Sequence, residues 1–159
     1  MLSIDIVCVG KLSQPFFREG CEEYIKRLSP FAKITVSELS ETKLTSEGAA
    51  AEKRVIEEES ARIEAHIAKK KALVVAMCVE GKKLSSTGLA EYIERAKNET
   101  SAIAFVIGGS LGLSEEFKRR ADLRLSVSDM TFPHQLFRLM LLEQLYRAET
   151  INNNIKYHK

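Results

Sequence analysis

The sequence lacks most of the features that announce a function directly. No apolar run reaches membrane-spanning length, and Met1-Leu2-Ser3-Ile4-Asp5 puts an acidic residue where an export signal carries basic ones, so the chain reads as soluble and cytoplasmic. Cysteine is scarce. Cys8, Cys21 and Cys78 are odd in number, and their spacing fits neither a zinc site nor a redox pair; buried free thiols in a reducing compartment are expected. Charge of one sign is also lacking: 24 basic and 22 acidic side chains leave a net +2. That balance neither requires nor excludes a nucleic-acid partner, because local patches rather than totals steer phosphates. Internal repeats and low-complexity linkers are absent. At 159 residues, 45% hydrophobic and 29% charged, the chain suffices for one domain spanning residues 1–159. No HxxxH, DxD or paired-cysteine set points to a metal, and no GxSxG marks a hydrolase elbow.

The stretch on which the chain turns runs from Ala102 to Phe117, AIAFVIGGSLGLSEEF. Ala102–Ile107 has the unbroken apolar character of a buried parallel strand, and Ser114, Glu115 and Glu116 announce a helix start. Between them lie Gly108, Gly109 and Gly112. Such a turn needs glycine where φ is positive or where a ligand lies against bare backbone, although a helix-entry turn with no ligand has the same composition. The turn lacks the Lys-Ser/Thr pair of a P-loop. A dinucleotide fingerprint would follow the first strand, where there is only Gly10-Lys11-Leu12.

In chain order, Leu2–Val9 reads as a strand covered on both faces. Pro15 opens a helix from about Phe16 to Leu28, and Lys33–Leu39 alternates like a strand near a sheet edge. Leu44–Lys71, rich in Ala, Glu, Lys and Arg, reads as one long exposed helix. His66 is expected to be solvated there, with Lys69, Lys70 and Lys71 complementing the helix dipole or touching phosphate. Ala72–Val79 is a second buried strand ending in Glu80-Gly81-Lys82-Lys83, and Thr87–Lys97 is an amphipathic helix. Leu123–Val127 is a short strand that runs into Ser128-Asp129-Met130-Thr131-Phe132-Pro133-His134. The last helix, His134 to Thr150, is apolar around so much of its circumference that a second subunit is the economical cover. The tail NNNIKYHK reads as a frayed terminus. Strands alternating with helices define an α/β class, a mainly parallel sheet flanked by helices, with ligands expected where the loops after Val79, Ile107 and Val127 converge. Such a site is rich in backbone donors and apolar side chains.

The C-terminal third from Phe105, FVIGGSLGLSEEFKRRADLRLSVSDMTFPHQLFRLMLLEQLYRAETINNNIKYHK, resembles the RlmH-type family of SPOUT methyltransferases. The likeness extends through VCVGKL near the start and GKKLSS in the middle. The resemblance implies a SPOUT fold with a C-terminal trefoil knot and S-adenosylmethionine as methyl donor. It further implies a homodimer in which one tail helps complete the other's site, and methylation of N3 of a pseudouridine in 23S ribosomal RNA of the large subunit. Aligned on the family's donor-binding positions are Met77, Gly108, Val127, Ser128, Asp129, Met130, Thr131 and Phe132; no metal is implied. Arg147, Tyr157 and His158 match residues used around the target nucleotide, with His158 as the candidate general base. For Arg147, a helical pair with Glu143 is the alternative. Asp129 stands where lysine is frequent in the family, and Lys156 where proline or alanine precedes Tyr-His. A non-catalytic ribosome-associated factor or a small-molecule-binding regulatory domain on the same core are the rival readings.

Overall fold

The computed structural model describes residues 1–159. Five parallel strands form a single sheet in the order β2-β1-β4-β3-β5, built from β1 (Leu2–Val9), β2 (Ala32–Leu39), β3 (Leu73–Lys83), β4 (Ala102–Ile107) and β5 (Leu123–Ser126). The helices between and after them are α1 (Pro15–Leu28), α2 (Ala49–Ile67), α3 (Ser86–Glu99), α4 (Glu115–Arg120) and α5 (His134–Asn152). Side chains alternate across a strand, so β1 feeds two cores. Ile4, Ile6 and Cys8 pack with Phe105, Ile93 and Leu142 beneath α1, α3 and α5. Val7 and Val9 pack with Ala104, Val106, Ile63 and Phe117 beneath α2 and α4. The expected α/β class, with a parallel sheet covered on both faces, is what the chain adopts. No helix is long and apolar enough to cross a membrane.

Local chemistry sets the helix starts. Pro15 occupies the first turn of α1, where its missing N–H costs nothing. The Ser85 hydroxyl accepts from the Gly88 N–H at 3.0 Å, and that of Ser114 from the Phe117 N–H at 3.1 Å, capping α3 and α4.

Three expectations are corrected. The long helix is shorter than its composition suggests: residues 44–48 are irregular, Gly48 sits at φ 111°, and α2 covers only Ala49–Ile67. β3 does not end at Val79 but continues to Lys83, shifting register between Met77 and Lys82 against β5. Gly81 makes this detour possible, since a Cβ there would lie 2.8 Å from the backbone of Arg124 and Leu125. β5 stops at Ser126, so Val127 leaves the sheet and is exposed.

His66 and Lys70 are not simply solvated. Both reach back to Asp5 in the middle of β1: His66 Nε2 lies 2.9 Å and Lys70 Nζ 2.6 Å from Asp5 Oδ2, and the Ser37 hydroxyl donates to Oδ1 at 2.7 Å. Burial alone would push the Asp5 carboxyl up, but hydrogen bonds from Lys70, His66 and Ser37 outweigh it and hold the group below its ordinary value of 3.8. A depressed carboxylate stabilises the fold above its unfolded pKa, and that stabilisation is lost as pH falls through the folded value. Asp5→Ala is therefore expected to cost about 1–2 kcal/mol at neutral pH, since it removes the acceptor that Ser37, His66 and Lys70 share. In denaturant titrations of both proteins the gap should close as pH drops below 4, and a gap independent of pH would refute the clamp.

Candidate functional site

Parallel strands place all their carboxyl ends on one edge, and the three neighbours β4, β3 and β5 carry the loops that sequence spacing singled out. Those loops enclose a cavity of about 660 Å³. Its walls are Met77 to Glu80 of β3, the turn from Ile107 to Leu113, and residues Leu125 to Ser128 and Met130 to Pro133, with His134 and Phe137 at the start of α5. The size suits a nucleoside-sized ligand.

Backbone geometry explains the composition of the turn. Only Gly112, at φ 85°, needs glycine for its conformation. Gly108 is excluded from bearing a side chain by its own turn, because a Cβ would sit 2.8 Å from the Gly112 carbonyl carbon. The Gly112 N–H donates to the Gly109 carbonyl at 3.0 Å, closing the loop on itself. Along the facing segment, the Ser126 hydroxyl donates to the Ser128 carbonyl at 2.9 Å and the Ser128 hydroxyl accepts from the Met130 N–H at 3.0 Å. Short side chains thus fold this loop by bonding its own backbone.

Of the sequence-predicted donor positions, Met77, Gly108, Val127, Ser128, Met130, Thr131 and Phe132 line the cavity. The Asp129 side chain does not; it is exposed and paired with Lys83, which ties the loop to the end of β3. The predicted donor set left out Cys78, Lys118, His134 and Phe137, all of them lining. Cys78 adjoins Met77 and His134 closes the run from Ser128, so chain neighbourhood pointed to both, whereas only topology brings Lys118 of α4 to this edge. Cys78 is half-buried rather than buried. Charge in the wall is confined to one end. There Lys118 is buried between Glu80 and Glu115, the latter at 2.6 Å. Burial pushes the Lys118 ammonium down, but the two carboxylates prevail and raise it; the Lys118 hydrogen bond holds the Glu80 carboxyl below its usual range.

The start of α5 is fixed by a buried arginine. Arg138 Nη1 donates to Glu38 Oε2 at 2.8 Å and Nη2 to the Gly10 carbonyl at 3.2 Å, locking the helix to the ends of β1 and β2. Ser13 and Gln135 add three hydrogen bonds at 2.9 to 3.2 Å: the Ser13 N–H and hydroxyl contact Gln135 Oε1, and Gln135 Nε2 contacts the Ser13 hydroxyl.

The tail residues form a separate group at the other end of α5. Arg147 bonds Glu143 at 2.6 and 3.1 Å, the helical pair that its spacing allows. It also stacks over the Tyr157 ring at 4.7 Å, and its Nη1 lies 3.4 Å from His158 Nδ1. The terminus is not frayed: Tyr157 packs edge-on to Tyr146 at 4.9 Å and donates its hydroxyl to Glu143 at 3.0 Å. Its interaction with Tyr24, partial burial and the Glu143 carboxylate all raise the Tyr157 hydroxyl above its ordinary value, so at neutral pH it is a donor. None of Arg147, Tyr157 and His158 lines the cavity of its own chain. Thirteen residues of helix separate Arg147 from His134, about 20 Å at the standard rise.

A cavity across three adjacent strand ends makes this an α/β domain with a candidate ligand site at its carboxyl edge. Comparison with known proteins narrows the class. A family model described as "Predicted SPOUT methyltransferase" matches residues 2–158. The ribosomal RNA large subunit methyltransferase H of Clostridioides difficile is 43% identical over 159 residues, and that of Bifidobacterium animalis subsp. lactis 47% over 161; each alignment covers 99% of this chain and all of the relative. Among solved structures, a probable methylase family protein from Haemophilus influenzae superposes with a TM-score of 0.60 at 15% identity, over 98% of this chain and 70% of its own. The tRNA (m1G37) methyltransferase of Aquifex aeolicus gives 0.52 at 14%, over 92% and 69%. These two likenesses concern the fold. The chain belongs to the SPOUT methyltransferase family.

Proposed function

We propose that this protein is a single-domain ribosomal RNA large subunit methyltransferase. In this reading it is a cytoplasmic homodimer that uses S-adenosylmethionine to methylate N3 of a pseudouridine in 23S ribosomal RNA, on the large subunit or the assembled ribosome. The observation that carries the reading is the cavity at the carboxyl edge, in a chain alignable end to end with relatives bearing the large-subunit methyltransferase name. The walls fit the donor. Backbone N–H and C=O groups of the glycine turn and of residues 127–132 can read an adenine edge, and Met77, Val127 and Phe132 offer apolar cover. Bound there, the donor supplies an electrophilic methyl group and needs no metal to do so.

The chain's own residues would position reactants and move one proton. N3 of the target base must lose its proton, and His158, whose ring nitrogen can accept one, is the base in this reading. Tyr157, held protonated, orients the base. Arg147 steadies phosphate or the negative charge that develops on the ring. Rate then comes mainly from holding nucleophile and methyl group in line with water excluded. In the homodimer that the family reading implies, the partner subunit's tail completes each site, and the distance of the tail cluster along α5 from its own cavity supports this. The same family reading carries a trefoil knot in the C-terminal half.

Calorimetric titration with S-adenosylmethionine tests the donor assignment. The wild type should bind saturably, and Val127→Trp, which puts an indole into the cavity wall, should weaken binding by about 100-fold or more with Tm nearly unchanged. Gly108→Arg would be a poor control, because the turn has no room for any side chain there. Equal binding by both proteins would remove the donor from this cavity.

A further inference from the structure

α2 contributes no residue to the wall of the donor cavity, yet it buries a carboxylate directly behind the turn that does. Glu59 is only 4% exposed. Its Oε2 accepts from the Thr42 N–H at 3.0 Å, which pins the side chain to the loop after β2. Its Oε1 lies 2.7 Å from where a Cβ on Gly109 would stand. The next residue, Ser60, is also buried, and its hydroxyl accepts from the Ser114 N–H at 3.0 Å, at the far end of the same turn. Two consecutive side chains of α2 therefore meet the segment 109–114 near both of its ends. This contact is unusual, because a buried carboxylate has a high desolvation cost and an apolar residue would fill the same space without it.

From this contact we infer that Glu59 is a positioning residue for donor binding: with Ser60 it props the glycine turn from the side opposite the cavity, and the missing side chain of Gly109 is the recess that admits its carboxylate. The inference rests on the cavity being the S-adenosylmethionine site. It explains a glycine that φ does not demand, since Gly109 is not in the left-handed region. Packing holds the prop in place as well as hydrogen bonding. Oε1 cannot swing away freely while Oε2 is held by Thr42, so a methyl group at position 109 must displace either the carboxylate or the turn. Displacing the turn moves Gly108 to Gly112 at the cavity wall. Burial pushes the Glu59 carboxyl up and Glu41 adds to that, opposed by the Thr42 N–H, Arg62 and His134. Glu59→Gln keeps the side chain's shape and an oxygen that can accept from the Thr42 N–H.

The arrangement predicts suppression. Gly109→Ala should weaken S-adenosylmethionine binding about 30-fold and Glu59→Ala about tenfold, the latter by releasing the prop. Combining them should bind more tightly than Gly109→Ala alone, by about fivefold, because the new methyl group then occupies the space vacated by the carboxylate. Glu59→Gln should stay within about threefold of wild type. Amide hydrogen exchange on the same proteins without donor should show faster exchange in Glu59→Ala concentrated at residues 108–114 and Thr42. Losses that multiply independently in the double variant, or unchanged exchange across 108–114 in Glu59→Ala, would overturn the inference. If wild type itself fails to bind the donor, the proposed function falls. The exchange pattern and the melting temperatures of the single and double variants then still decide the prop: a double variant more stable than Gly109→Ala alone supports it, and additive destabilisation refutes it.

Discussion

Subunits carrying His158→Ala and subunits carrying Val127→Trp, each strongly impaired alone, should recover methylation of ribosomal substrate when refolded together. In one chain the cavity lies at the start of α5, while Arg147, Tyr157 and His158 cluster at its far end about 20 Å away along the helix. If the partner's tail completes each cavity, a mixed dimer contains one site with an intact cavity and an intact tail. Random pairing makes half the dimers mixed, and half the sites in those are whole, so about a quarter of wild-type activity returns. If each tail served its own cavity, every site in the mixture would carry one defect and nothing would return. His158→Ala alone should lower kcat by about 100-fold or more, the range in which a positioned base contributes, with donor affinity unchanged. Full turnover by His158→Ala would end its assignment as base. A mixture no more active than the separate variants, with mixed dimers confirmed by mass spectrometry, would end the arrangement in trans.

The second large effect concerns stability. Glu149 on α5 is fully buried, and its Oε2 is matched at 3.0 Å by Lys97 Nζ of α3, which also bonds Glu94 at 3.0 Å. Burial pulls the Lys97 ammonium down, but the Glu149 and Glu94 carboxylates raise it above its ordinary value. Removing one member of such a pair strands the other in a medium that solvates it poorly. Lys97→Met is expected to destabilise the protein by about 3 kcal/mol, or about 10 °C in Tm. Adding Glu149→Gln should return most of the loss by taking away the stranded charge. The sign with pH follows from the raised ammonium: the pair's contribution is complete below the unfolded lysine value of 10.5 and fades as pH rises through the folded one. Denaturant unfolding of the two single variants and the double variant gives the coupling directly, and a coupling near zero would show that the pair is dispensable.

Several parts of this molecule are legible in the sequence because they depend on neighbours close along the chain. The apolar run Ala102–Ile107, the helix start at Ser114 and the proline start of α1 define elements by local chemistry, and the structure has them where the residues put them. The long likeness through the C-terminal third carries the family, which the full-length match bears out. Where the reading failed, a distant partner decided. His66 looks like one more polar residue in a charged helix until Asp5, sixty-one positions earlier, is brought against it. β3 seems to end at Val79 because Glu80-Gly81-Lys82-Lys83 is polar, yet pairing with β5 extends it.

What the sequence by itself determined is therefore the class of fold, the order of elements and the three loops that make a site, all of which follow from periodicity, turn residues and strand-end logic. Tertiary structure alone decided the rest. It made Gly108 a matter of space rather than torsion, set a buried carboxylate behind Gly109, and parted the tail from its own cavity. Contacts between residues far apart in the chain depend on how whole elements pack, and a linear pattern holds no record of which surface a side chain will finally meet.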